Sequence, residues 1–290
     1  MGTIDGHTQL VGVMGWPVEH TVSPAMHNAA FDAAGLNWRY VPLAVHPDRV
    51  GEAVRGLQAL GFEGCNVTVP HKQAVMEHLD EITEQAQAIG AVNTIVIWSD
   101  GRMVGYNTDA AGFLRALAEG GFQPEGKRAV VVGAGGAGRA VAYALASAEA
   151  AVTVLNRTLS RAESLVADLA PLFPSLPLRP LPLTPATFRQ EAQSADLLVN
   201  ATSLGMWPQV KRSPWPEELP MPPSLTVFDL VYNPLETKLM RQARAAGAQA
   251  IGGLGMLVHQ GAIAWELWTG QEAPVEVMAA AAKAAFELAS

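Results

Sequence analysis

Cysteine is almost absent. Cys65 is the only one in 290 residues, so the chain can close no disulfide within itself, which fits a reducing compartment. It reads most simply as a small core residue on a strand. Basic residues are few: 19 against 27 acidic ones, a formal net charge of −8. That balance speaks against nucleic acid as a partner, because backbone binding needs clustered Lys and Arg. An anionic ligand must then be held by local donors, not by the overall field. No run of about 20 uncharged apolar residues exists, so no membrane span is expected. The opening MGTIDGHTQLVGV lacks a basic segment followed by a long apolar core, so no secretory signal is expected and a cytoplasmic setting is. The seven histidines form no HExxH, and Cys65 has no CxxC partner, so no metal is expected. His20 and His27 are read as packing or surface residues. No G-x-S-x-G elbow points to a hydrolase.

What is present is an α/β pattern. Apolar residues make up 49% of the chain, enough for sizeable cores, and the length favours two domains. Strand candidates Leu10–Met14, Arg39–Val45, Cys65–Val67, Thr94–Ile97 and Met103–Val104 alternate with helix candidates Pro24–Ala34, Asp48–Leu60 and Ile82–Ala88. A second series of strands follows at Ala129–Val132, Val152–Leu155, Leu197–Asn200, Val227–Leu230 and Gln249–Ile251. Such alternation predicts layers around a largely parallel sheet. Pro171–Pro185 reads as a loop with a short edge strand, and Trp207–Pro223 as an irregular surface loop. The Ala-rich helix Val275–Leu288 is expected to pack on a sheet.

AVVVGAGGAGRAVAYALA places Gly133, Gly135 and Gly138 in G-x-G-x-x-G spacing, after an apolar strand and at a helix start. Gly133 permits the tight turn, Gly135 removes a side chain that would block a pyrophosphate, and Gly138 lets helix and strand approach. The helix N-terminus offers N–H groups and a positive dipole end to phosphates. About twenty residues on, where an acid would hold the ribose hydroxyls, the chain reads Asn156, Arg157, Thr158. Asn156 is neutral, and Arg157 can grip a phosphate with paired donors, with Arg161 four residues further on. The cofactor predicted is NADP(H), not NAD. Thr158 is expected to serve as the helix cap and as a further phosphate donor.

The reacting groups must lie elsewhere. In CNVTVPHKQAV a strand ends in Thr68, Pro70 is read as starting a helix, and Lys72 follows. A lysine near a helix N-terminus is disfavoured by the dipole, which would lower its pKa for acid–base work. An exposed lysine on a polar face is the alternative. GAVNTIV brings Asn93 before a strand. VGYNTDAAGFL places Asp109 at a helix start, capped by Asn107 or Thr108. GWPVEHTVSPAMHN carries Thr21 and Ser23 just before a helix beginning at Pro24. Their hydroxyls and the free helix N–H groups could bind a small carboxylate.

In this order, before a GAGGAG loop, these segments resemble the shikimate dehydrogenase family. The likeness runs from about Val11 to about Gly270 and includes NVTVPHK, GAVNT, NTDAAGF, VVGAGGAGRA, NRTLSR, NATSLGM, VFDLVYNP and GLGMLVHQGAIAWELWTG. The resemblance implies an N-terminal α/β substrate domain completed by C-terminal helices (1–107 and 253–290). A Rossmann-type NADP-binding domain (108–252) is implied between them, with the active site in the cleft. It also implies reversible reduction of 3-dehydroshikimate to shikimate by NADPH, a step toward aromatic amino acids. Lys72 would be the acid–base residue and Asp109 its partner. Asn93 and Asp109 would hold ring hydroxyls, Thr21 and Ser23 the carboxylate, with Thr68, Tyr232 and Gln260 completing the pocket. Gly133, Ala134, Gly135, Gly136, Ala137, Gly138, Asn156, Arg157, Thr158, Arg161 and Thr202 would bind cofactor, with Met206 and Gly253 beside the nicotinamide.

Two positions depart from the family pattern. Thr21 stands where serine is common, which could shift the balance between shikimate and quinate. Trp265 stands where phenylalanine is common. A quinate or dual quinate/shikimate dehydrogenase, and a non-catalytic NADPH-sensing module, are the competing readings. The expected partner is a small molecule, and the assembly a monomer or homodimer.

Overall fold

The computed structural model describes residues 4–289. The first three residues of the segment read for a secretory signal lie outside it. The chain divides into two compact units, residues 1–108 with 258–290, and residues 109–257. The α/β class predicted from the alternation is found in both.

The first unit runs β1 (Gln9–Gly15), α1 (Ser23–Ala33), β2 (Trp38–Ala44), α2 (Val50–Ala59), β3 (Phe62–Val67), β4 (Glu81–Ile82), α3 (Glu84–Ile89), β5 (Thr94–Ile97), β6 (Met103–Tyr106). Its sheet has the order β2-β1-β3-β5-β6-β4. β1 lies parallel to β2 and β3, but β5 is antiparallel to both β3 and β6. β4 is parallel to β6, so the sheet is mostly parallel, as expected, with β5 as its one reversed strand. The cause is local. Asp100 accepts from the Arg102 N–H at 3.0 Å and Gly101 adopts φ +87°, closing a tight turn that can join only antiparallel strands.

α2, β3 and β5 bury Val50, Val54, Leu57, Phe62, Cys65 and Ile95 in one core. Burial pushes the Cys65 thiol up to about 12, so it stays protonated and inert. A second, aromatic cluster gathers His27, Phe31, Tyr40, Trp265 and Trp268. Trp265 is fully buried and stacks on Phe31 with centroids 5.9 Å apart; burying a side chain of this kind contributes about 1.5–3 kcal/mol.

The second unit runs α4 (Asp109–Glu119), β7 (Arg128–Val132), α5 (Gly136–Ser147), β8 (Ala151–Asn156), α6 (Leu159–Leu169), β9 (Leu178–Pro182), α7 (Pro185–Ser194), β10 (Leu197–Asn200), β11 (Thr226–Asp229), α8 (Lys238–Ala245), β12 (Gln249–Gly252). From it α9 (Leu254–Thr269) leads on to α10 (Val275–Ala289). α10 packs on helix α1, not on a sheet; its Met278, Ala282 and Phe286 recur every fourth residue and are buried.

The second sheet has the order β12-β11-β10-β7-β8-β9 and is parallel throughout. Its central strands, such as Val130–Val132 and Leu197–Val199, are buried on both faces, as continuous apolar runs in a covered parallel sheet must be. The strand order reverses between β7 and β10, which makes the carboxyl ends of those two strands the switch point where ligands of such sheets bind. β9 is the edge strand expected from its prolines. The segment 207–223 is irregular, as predicted, but it is not merely superficial. Trp215, Leu219 and Met221 sink into the core, Trp215 packs edge-on against Phe188 at 5.4 Å, and its indole N–H donates to the Leu219 carbonyl at 2.7 Å.

Candidate active site

At the switch point the glycine loop joins β7 to α5. Gly133 has φ +113°, and a Cβ there would lie 2.8 Å from the Ala201 carbonyl oxygen. A Cβ on Gly138 would lie 2.1 Å from the Gly133 carbonyl oxygen. Both glycines are required by packing alone. Gly135 differs: a Cβ on it would meet nothing within 4 Å, so what it preserves is open space in front of the loop. Gly136 and Ala137 form the first turn of α5, whose N-cap is Gly135 and bears no capping side chain. The first-turn N–H groups thus remain available to an anion.

Asn156 links this loop to the end of β8. Its Oδ1 accepts from the Ala134 N–H at 3.3 Å and its Nδ2 donates to the Thr158 carbonyl at 2.8 Å. Arg157, Thr158 and Arg161 are exposed. Neither arginine has an ion-pair partner among the described residues. Thr158 holds the N-cap position of α6, but its side chain makes no capping bond, so the capping role read from sequence is not filled. The residues fit a dinucleotide carrying an additional phosphate: open space at Gly135, helix N–H groups, two unpaired guanidiniums and no acid at the strand end.

On the β10 side of the switch point, the Thr202 hydroxyl donates to Asn200 Oδ1 at 2.6 Å and accepts from the Leu204 N–H at 3.1 Å. Met206 is exposed. Gly253 is sterically compelled, since a Cβ there would lie 2.2 Å from the Leu230 carbonyl oxygen. Behind these loops lies a junction the sequence did not suggest. Asp229, wholly buried, accepts from Asn200 Nδ2 at 2.8 Å, the Val231 N–H at 3.1 Å and the Thr237 hydroxyl at 2.7 Å. Burial raises its pKa, opposed by the hydrogen bonds of Thr237, Val231 and Asn200. The only signal in sequence was an acid at the end of an apolar strand. Nearby, Tyr232 is half-buried; burial raises its phenol pKa, and the charge of Asp109 raises it further. Asp109 is buried in the first turn of α4.

In the first unit, Lys72 does not open an α-helix. It lies in a turn before the 3-10 helix Ala74–His78. The Lys72 carbonyl accepts from the Val92 N–H at 2.8 Å, a long-range bond that diverts it from helical pairing. A dipole acting on Lys72 therefore has no basis. The turn is pinned by buried His71, whose Nε2 donates to the Val45 carbonyl at 2.7 Å. The same Val92 bond brings Asn93 alongside this turn. Asn93 Nδ2 donates to Thr108 Oγ1 at 2.9 Å and to Gln260 Oε1 at 3.4 Å, while Asn93 Oδ1 accepts from the Thr108 N–H at 2.8 Å. Thr108 thus serves Asn93, and Asn107 donates its amide to the Ala91 carbonyl at 2.9 Å. Thr68 is half-buried, its N–H on the Met14 carbonyl at 2.9 Å. Thr21 Oγ1 accepts from the Ser23 N–H at 3.3 Å. Ser23 is the first residue of α1, one earlier than the predicted start at Pro24. Sequence reasoning missed His71, Asn66 and Thr94, whose buried bonds support this region.

A parallel sheet with a glycine loop at its switch point in the second unit, beside a first unit rich in hydroxyl and amide groups, is the arrangement of a dinucleotide-dependent oxidoreductase, the class to which its relatives belong. Family profiles match in three stretches: a shikimate dehydrogenase substrate binding domain over residues 13–95, a shikimate/quinate 5-dehydrogenase over 116–204, and a shikimate 5'-dehydrogenase C-terminal domain over 253–283. A shikimate dehydrogenase (NADP(+)) of Moorella thermoacetica is 52% identical, covering 95% of this chain and 92% of its own. One from Methanopyrus kandleri is 50% identical, covering 95% of each. The crystal structure of shikimate 5-dehydrogenase from Thermus thermophilus in complex with NADP(H) and shikimate is 41% identical, with a TM-score of 0.85 over 96% of this chain and 99% of that one. The chain belongs to the shikimate dehydrogenase family.

Proposed function

We propose that the chain catalyses the reversible, NADP(H)-dependent interconversion of 3-dehydroshikimate and shikimate, with Lys72 as the acid–base residue and Asp109 as its partner. What carries this reading is full-length likeness to NADP(+)-dependent shikimate dehydrogenases. The acid-free end of β8 supports the cofactor choice. Bound NADP(H) supplies or takes the hydride. In the oxidative direction Lys72 accepts the proton of the reacting hydroxyl as its carbon gives up hydride. In reduction Lys72 stabilises the developing alkoxide and protonates it. Asn93 and Asp109 hold ring hydroxyls, and Thr21 and Ser23 bind the carboxylate. Thr68, Tyr232 and Gln260 complete the substrate pocket. Gly133 to Gly138, Asn156, Arg157, Thr158, Arg161 and Thr202 hold the dinucleotide, with Met206 and Gly253 at its nicotinamide end.

The test is initial-rate formation of reduced cofactor from NADP⁺ or NAD⁺, with shikimate or quinate. Fast turnover with shikimate and NADP⁺ alone is expected. Turnover of quinate at a matching rate would overturn the substrate assignment. Tight NADPH binding with no turnover of either acid would overturn the enzymatic reading in favour of a sensor.

A further inference from the structure

Two buried amides in the first unit are oriented by backbone groups that have only one hydrogen-bonding role. The Thr108 N–H can only donate, so the Asn93 side-chain atom 2.8 Å from it is the carbonyl oxygen. The Asn93 backbone carbonyl can only accept, so the Asn66 atom 3.2 Å from it is the amide nitrogen. The remaining bonds to these two amides then have one polarity, while the contact between the Thr94 and Thr108 hydroxyls at 3.3 Å can run either way. Asn66 Oδ1 must accept, and the Tyr40 hydroxyl donates to it at 2.8 Å. Asn66 Nδ2 donates to Thr94 Oγ1 at 3.0 Å. The Thr94 hydroxyl then has its own proton to give, and Asn93 Oδ1 at 3.1 Å is nearer than Thr108 Oγ1 at 3.3 Å. Tyr40, Asn66, Thr94, Asn93 and Thr108 are all buried, and the Tyr40 ring is held flat against His27 at 4.3 Å. In such surroundings a reversed amide would set donor against donor, at a cost of about 1–3 kcal/mol for each unsatisfied group. Asn93 Oδ1 is thus held by accepted bonds, and its Nδ2 is placed between Thr108 Oγ1 at 2.9 Å and Gln260 Oε1 at 3.4 Å.

We propose that Asn66 and Thr94 are positioning residues, which hold Asn93 with its amide nitrogen toward the substrate. The N–H that reaches Gln260 Oε1 only at 3.4 Å is the donor that exchanges this long contact for a ligand oxygen able to accept, a ring hydroxyl or carbonyl. The inference rests on the reading of Asn93 as a substrate-holding residue and gives that contact its direction.

The experiment compares Thr94→Val, which keeps the shape and loses the hydroxyl, with Thr94→Ser, which keeps the hydroxyl, and with Asn93→Ala. KM for shikimate, KM for NADP⁺, kcat and the unfolding midpoint are measured for each. Thr94→Val is expected to raise KM for shikimate about tenfold, with kcat and KM for NADP⁺ within about twofold of the parent. Thr94→Ser is expected to restore it. Tyr40→Phe, at the head of the relay, is expected to shift KM for shikimate about threefold in the same direction, and decides the matter should Thr94→Val fail to fold. A parental KM in Thr94→Val and Tyr40→Phe, beside a large rise in Asn93→Ala, would overturn the relay and leave the site reading standing. An unchanged KM in Asn93→Ala would overturn both. Losses in kcat and in both KM values that follow the unfolding midpoint, without rescue by serine, would reduce Thr94 to a packing role.

Discussion

The two units shape their binding surfaces by opposite means. In residues 109–257 the decisive features are atoms left out: Gly133 and Gly138 yield to neighbouring backbone, Gly135 keeps a space open, and β8 ends without an acid. In residues 1–108 with 258–290 the decisive features are bonds put in: Asn66, Thr94, Asn93 and Thr108 fix one another inside the fold, and His71 pins the turn that bears Lys72. Subtraction tolerates no added bulk but little depends on partners far along the chain. Addition depends on residues many positions apart.

That contrast can be broken or sharpened, starting with the largest effect. Lys72→Ala is expected to lower turnover about 10²- to 10⁴-fold, while NADPH affinity measured by fluorescence titration stays at the parental value. Near-normal turnover would remove Lys72 from the chemistry. Next come two glycines of one loop with different duties. Gly138→Ala drives a Cβ into the Gly133 carbonyl and is expected to destabilise by about 3 kcal/mol, read as a lower unfolding midpoint. Gly135→Ala meets no protein atom and is expected to leave the midpoint alone while weakening NADPH about tenfold. Equal midpoints for the two variants would erase the distinction between packing and binding glycines.

Arg157→Ala should cost one charge-assisted contact, about 1.5–3 kcal/mol or about 10- to 150-fold in NADPH affinity, with NADH barely affected. Equal losses for the two cofactors would mean that Arg157 does not read the extra phosphate.

The smallest effect belongs to the first unit and to pH. His27 is fully buried between aromatic rings, neither ring nitrogen has a hydrogen-bond partner, and burial lowers its pKa to about 3. The folded pKa lies below the unfolded value, so the unfolded chain takes up the proton first. Stability is complete above about pH 6.5 and is lost as pH falls toward 3. At pH 5 this one group costs about 2 kcal/mol. Urea unfolding at pH 7 and pH 5 should show the parent losing about that much more than His27→Phe. Identical losses would show that the imidazole is not held neutral in the fold.

The same contrast explains what could be read in the sequence. The glycine spacing, the apolar strands and NRTLSR are local, and their physical meaning survives without knowledge of the partner. Hence the parallel sheet and the phosphate-ready strand end were legible. The relay was not, because Tyr40, Asn66 and Thr94 acquire their roles only when β2, β3 and β5 meet in one sheet. The helix read at Pro70 failed for a related reason: a bond from Val92, twenty positions beyond Lys72, takes the carbonyl a helix would have used. The antiparallel pairing of β5 with β6 likewise follows from a single tight turn at Gly101, too short a signal to register against the general alternation. Trp215 was hidden inside a proline-rich stretch whose composition suggested only surface.

The prolines of β9 carry a consequence for crowding and solubility. Leu183, one residue past the strand, donates its N–H inward to the Asn156 carbonyl of β8. By alternation, the donors of Leu178, Pro180 and Pro182 would face outward, and two of those three positions have no N–H to give. A passing strand would find one main-chain donor where it needs three. One end of the six-stranded ribbon is thus blunted by its covalent chemistry, which disfavours edge-to-edge growth from molecule to molecule on that side.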